Sequence, residues 1–293
     1  MAALAGAAAI VAVEALLVAP GRLLAAQIVD ALLVLALVNA GPRRETQASS
    51  PRTLAAIGAL RALALVPLVR VMALGLPMSD WTEPPAVLAV TLPLGLVAFW
   101  LAPVVRLRLR RMFSLSVGLA DLYAISAGLT LGLLAFVAGA PRLWPDGADD
   151  ERIALGLAAA AVAAFVEELV FRGLIQSTLQ AAVGRVGIVA AMVLFAATHL
   201  DAGSTVLVLT IALAGVAFSH AFANTGRLPG VILGHVVFVV GAGAVWPSLV
   251  ETSDLPPFHD LRATVALAIA IAIAVVLACW QRPVNCVALR ESG

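Results

Sequence analysis

Three ionisable side chains fall within six positions of an otherwise apolar run, Phe165-Val-Glu167-Glu168-Leu-Val-Phe171-Arg172-Gly173. At bilayer depth each such group costs on the order of 2.5–3.5 kcal/mol on insertion scales, so it needs a partner or a purpose. Glu168 and Arg172 are four residues apart with the acid N-terminal, a spacing that lets them pair on one helix face. Glu167 is turned away from Glu168 by about 100° and has no such partner on its own helix. Two histidines in later apolar stretches are candidates to meet it: His199, in Leu194-Phe195-Ala-Ala-Thr-His199, and His235, in Pro229-Gly-Val-Ile-Leu-Gly234-His235. One glutamate and two histidines on three helices can do either of two jobs. They can hold a divalent metal such as zinc with a position left open for water. Alternatively, with no metal, the glutamate takes a proton from water while the imidazoles support oxyanion charge. Both arrangements hydrolyse amide bonds, and residue types alone leave both open. Taken singly, a membrane histidine or a Glu168–Arg172 pair reads as a structural tie; the combination with an unpaired Glu167 points to a site.

The elements that would position these groups are hydrophobic helices. Apolar runs lie at roughly 2–19, 23–39, 54–76, 86–104, 115–139, 153–181, 186–201, 204–222, 229–247 and 262–281. The expected fold class is an all-α polytopic transmembrane bundle of roughly eight to ten spans. Pro20-Gly21-Arg22 could join the first two runs as a re-entrant hairpin, and the seventh is short. Arginines fall at alternate breaks (Arg43, Arg44 and Arg52; Arg106, Arg108, Arg110 and Arg111; Arg185, Arg227, Arg282 and Arg290). Acids occupy the opposite breaks (Asp80, Glu83; Asp146 to Glu151; Glu251, Asp254, Asp260). That alternation predicts ten spans with both termini in the cytoplasm.

Composition supports the membrane class. Of 293 residues, 62% are hydrophobic and 12% charged, and mean hydropathy is +1.07, a surplus that a soluble domain could not bury. A net charge of +1 offers no field for nucleic acid, so the partners expected are membrane lipid and a peptide or protein substrate. All 18 basic residues are arginine, which with the many Ala, Gly and Val suggests a prokaryotic source and a cell-membrane location. The N-terminus is apolar without a basic leader and reads as a retained span. Cys279 and Cys286 read as inert. His220, His259, Glu14, Asp30, Asp121 and Arg70 have ordinary interface or pairing roles as the default, with Asp121 the one to compare with the site. Trp81, Trp144 and Trp246 sit where anchoring aromatics are expected.

Glu167-Glu168-x-x-x-Arg172, Phe195-x-x-x-His199 and His235, in this order and spacing, resemble the motifs of the CAAX prenyl endopeptidase and bacteriocin-processing intramembrane proteases. The resemblance spans about 153–247. It implies an all-helical endopeptidase open to the bilayer, in which Glu167 is the general base, His199 helps position the water and His235 stabilises the oxyanion. Glu168, Arg172 and Phe195 would support them, and Glu167, His199 and His235 would be the ligands if a metal is bound. On this reading 1–112 forms N-terminal helices of unassigned role, 113–250 a protease-like core, and 251–293 a loop and a last helix. One position departs from the family pattern: Val239 stands one turn after His235, where the family places Asn or Asp. The rival reading is a non-catalytic membrane scaffold or immunity-type protein with the same fold. A proton-coupled transporter is a third, weakened by the lack of internal repeats.

Overall fold

A computed structural model describes residues 1–17, 23–40, 50–74, 84–144, 147–201 and 204–249. Among these residues the regular structure is helical throughout. Six helical stretches are long and apolar enough to cross a membrane: Pro51–Met72, Pro84–Val104, Leu119–Val137, Asp150–Val183, Thr205–Thr225 and Pro229–Leu249. Ala2–Leu16, Ala25–Val38 and Arg185–Ala197 are apolar but shorter, below the roughly 17 residues a straight crossing needs. The chain is thus a multi-pass, all-α membrane bundle, and among the described residues the first nine apolar runs fall on helical structure, the third of them on two successive helices. The expected tenth span, with His259, Cys279 and Cys286, lies outside the described residues, as do Arg43, Arg44, Asp80, Trp81, Glu83 and Asp146.

The N-terminal part holds α1 (Ala2–Leu17), α2 (Leu23–Val38), α3 (Pro51–Leu63), α4 (Leu65–Leu74) and α5 (Pro84–Val104). Ser50 caps α3 by accepting from the Thr53 amide at 3.2 Å, and Pro51 fills the first helical position, where no amide donor is needed. The break between α3 and α4 follows from Pro67, which has no N–H for the Leu63 carbonyl four residues back. On α5, Leu96 and Trp100, four residues apart, are each 72% exposed, a large apolar face suited to lipid. A short α6 (Leu109–Met112) follows, then α7 (Leu119–Val137).

The site-bearing part begins with α8 (Asp150–Glu168), whose first free amides meet Asp149; its carboxylate accepts from the Arg152 amide at 2.9 Å. The helix does not stop at Glu168. It widens into a π-helical stretch, π1 (Leu169–Gln176), and returns to α geometry as α9 (Ser177–Val183). Gly184 at φ 70° turns the chain into α10 (Arg185–Ala197), and α11 (Thr205–Thr225) ends on left-handed Gly226. Then come α12 (Pro229–Val240), a second π stretch π2 (Gly241–Val245) and α13 (Trp246–Leu249).

Two devices place α12. Ala124, Gly128 and Gly132 form a small-residue stripe on α7, against which α12 packs closely. A Cβ at Gly128 would run into the Gly234 carbonyl, and one at Gly132 would lie 2.9 Å from the Phe238 carbonyl. At the start of the helix, Arg227 donates to Asp121 at 3.0 Å while Asp121 also accepts the Gly118 amide at 2.8 Å, capping α7. Asp121 is therefore an anchor for helix entry, and not part of the carboxylate–histidine cluster. Asn224 donates to the His220 carbonyl at 3.0 Å on α11, away from His235.

Candidate active site

The π stretch lies where the carboxylates and arginine sit. Widened turns of this kind recur at functional sites because the extra residue re-aims side chains and frees carbonyls. The Arg172 carbonyl accepts from the Ser177 hydroxyl at 3.1 Å, which compensates part of that loss. The expected Glu168–Arg172 pair forms: Arg172 Nη1 is 3.1 Å from Glu168 Oε1, with both side chains at 1% exposure or less. Arg172 also donates from Nη2 to the Gly215 carbonyl at 3.2 Å and stacks its guanidinium 4.2 Å over the Phe195 ring. The stack is possible because α11 carries glycine at 215; a Cβ there would meet Phe195 at 2.7 Å. Phe195 in turn lies edge-on to His235 and against His199, with centroids 6.1 and 4.9 Å away. It is the aromatic wedge that spaces the two histidines.

Glu168 has a second partner that helical spacing alone does not reveal. His235 Nδ1 is 2.8 Å from Glu168 Oε1. A carboxylate only accepts, so Nδ1 carries the proton and the ring is oriented with Nε2 on the far side. Nε2 faces Glu167, whose Oε2 is 3.9 Å away. His235 thus comes close to Glu167 from a neighbouring helix without hydrogen-bonding to it.

Glu167 differs from its neighbour in exposure: its side chain is 31% exposed, while that of Glu168 is fully buried. It opens on a cavity of about 240 Å³ between α4, α5, α8 and π1 that also takes in His199. Apolar walls dominate, with Val66, Val69, Val90, Leu94, Val170 and Phe171 among them. His199 sits in the turn just past the end of α10, one step beyond the helix in which its apolar surroundings suggest it. Its Nδ1 is 2.9 Å from the Phe195 carbonyl, an acceptor, so Nδ1 donates and Nε2 is not engaged by that bond. Thus Glu167 and His199 share the cavity, and His235, 5% exposed, stands behind Glu167. Arg70, Thr91 and Thr198 complete the polar lining. Arg70 was readable only as an intramembrane charge in need of a partner. The signal available was an acid, Glu14, in another apolar run, but nothing local links two residues so far apart in the chain.

A zinc site would need three of these side chains as ligands and one open position. Among the described residues no group of three His, Cys, Asp or Glu side chains is gathered closely enough to hold a metal. Glu168 engages the Nδ1 edge of His235, leaving Glu167 and His235 as a pair. Among the described residues the arrangement does not form a three-ligand set.

Residues 150–241 match the family model described as type II CAAX prenyl endopeptidase Rce1-like. That stretch begins at the first residue of α8 and holds Glu167, Glu168, Arg172, Phe195, His199 and His235, so the resemblance carried by those motifs is borne out over the segment that contains them. No curated protein and no solved structure matches the chain.

Proposed function

We propose that this chain, similar over 150–241 to the type II CAAX prenyl endopeptidases, is an intramembrane endopeptidase that hydrolyses a hydrophobic or membrane-associated polypeptide with Glu167-activated water. The observation that carries the reading is the partly exposed Glu167 side chain, in one apolar-walled cavity with His199 and with its buried Oε2 3.9 Å from His235 Nε2. Water in that cavity can lie between Glu167 and His199 Nε2. Glu167 removes its proton as the oxygen attacks the scissile carbonyl carbon, a contribution typically of about 10²–10⁴-fold. As the tetrahedral intermediate collapses, the C–N bond breaks and the proton held by Glu167 passes to the leaving nitrogen. His235, oriented by Glu168, supports the oxyanion from Nε2 when that nitrogen is protonated. Chemistry therefore falls to Glu167, His199 and His235, with Glu168, Arg172 and Phe195 holding them.

The reading carries with it a cell membrane location, both termini in the cytoplasm from the arginine distribution, and lipid and an apolar peptide as partners. Val239 favours the non-catalytic alternative, because it leaves His235 without a polar companion one turn on. One experiment decides between them. Purified protein in lipid nanodiscs is presented with quenched-fluorescent apolar peptides. Cleavage that disappears in Glu167→Ala and His199→Ala is the expected result. No cleavage of any peptide by the parental protein, or cleavage at the parental rate by both variants, refutes this reading.

A further inference from the structure

We infer that Arg70 is a positioning residue for His199, which makes the N-terminal helices part of the site; the inference extends the peptidase reading, but its structural half stands apart from it. Arg70 is on α4, outside the segment that matches the protease family. Its guanidinium is held from one side by the buried Glu14 of α1, which accepts from Nε at 3.2 Å and from Nη2 at 2.8 Å. On the other side Nη2 donates to the Thr198 carbonyl at 2.9 Å and Nη1 to Asp201 at 3.3 Å. Thr198 and Asp201 lie on either side of His199. One planar group thus grips the backbone before the histidine and the side chain two residues after it.

The turn needs such a grip. α10 is only 13 residues long and ends at Ala197, and the amides of Thr198, His199 and Leu200 close back on the Leu194, Ala196 and Ala197 carbonyls, so the turn that carries His199 begins with the Thr198 carbonyl pointing onward. Arg70 takes up the Thr198 carbonyl just past the helix, and its charge at that end complements the helix dipole. The His199 ring is fixed at Nδ1 by the Phe195 carbonyl, so the direction of Nε2 follows the backbone at 198–201. Arg70 lines the same cavity as His199, close enough that a shift of the clasp moves the imidazole relative to Glu167. A lysine could not replace it, since a single ammonium lacks the fork that reaches Glu14, Thr198 and Asp201 together.

The test uses the full-length protein in nanodiscs with isotope-labelled histidine, read by nitrogen NMR, with the His199 signals assigned through His199→Gln. Arg70→Gln alone strands the buried Glu14 carboxylate, so the variants are Arg70→Gln/Glu14→Gln and the milder Asp201→Asn. In the double variant the His199 ring signals are expected to shift or broaden while those of His235 stay in place. Unchanged His199 signals overturn the inference. On a cleaved apolar peptide, the double variant lowers kcat by about 10²-fold with KM little changed, the scale set by a displacement near 1 Å. Unchanged turnover of a cleaved peptide by the double variant also overturns it. A moved His199 in a protein that cleaves nothing supports the positioning role and removes the peptidase reading alone.

Discussion

Glu168 Oε1 lies 2.8 Å from His235 Nδ1 and 3.1 Å from Arg172 Nη1, so one buried oxygen joins the π-helical turn of the sixth apolar run to the ninth. That shared oxygen makes Glu168 the hinge of the cluster rather than half of an isolated ion pair. Glu168→Gln leaves Arg172 buried without its counter-charge, a change that typically costs about 3–5 kcal/mol. It also weakens the acceptor that fixes the His235 tautomer. Thermal unfolding in detergent should show the destabilisation, and peptide turnover should fall on the order of 10²-fold, the scale of losing one oxyanion donor. The apolar replacement Glu168→Leu/Arg172→Met should recover much of the stability and none of the turnover. Full activity in that double variant contradicts the orienting role.

Close approach of α7 and α12 sets the depth of His235. Gly128→Val places branched carbons where the Gly234 carbonyl lies, so the helices must separate. The expected outcome is a lower unfolding temperature and a loss of turnover of about tenfold or more, consistent with sub-ångström to ångström displacement of a site residue. Gly118→Ala is the control, since a Cβ there makes only ordinary contacts at 3.7 Å. Equal behaviour of the two variants would show that the helix contact does not govern the site.

Much of this arrangement was legible in the sequence because membrane solvation is unforgiving. Charges inside apolar runs must be explained, and that demand singled out Glu167, Glu168, Arg172, His199 and His235. Helical spacing gave the Glu168–Arg172 pair and said that Glu167 must look to another helix. It could not say that the same Glu168 holds His235, because that cross-helix contact depends on how α8 and α12 pack. Nor could a 3.6-residue period reveal the π stretch at Leu169–Gln176, which adds a residue per turn without altering the composition. His199 falls past the helix end because Ala-Ala-Thr-His carries no glycine or proline to mark the stop. Glu14 and Arg70 each read as a stray charge until folding brought them together.

Val239 is partly buried and packs against the core one turn beyond His235. If an absent polar group limits turnover, Val239→Asn supplies a donor on the same helix. The expected outcome is a rise in kcat, bounded by the roughly 10²–10³-fold worth of one oxyanion donor, with KM little changed. An unchanged or lower kcat in a stably folded variant refutes that account of the substitution.

Glu167→Gln tests the central claim most directly. The amide keeps the shape of the carboxylate but cannot take a proton from water, so substrate binding and chemistry separate. A fluorescent apolar peptide cleaved by the parental protein in nanodiscs should bind Glu167→Gln with similar Kd and be released uncut, with unfolding temperature preserved. Cleavage by the folded Glu167→Gln variant at the parental rate would contradict the assignment of Glu167 as the base, and with it the mechanism built on this cavity.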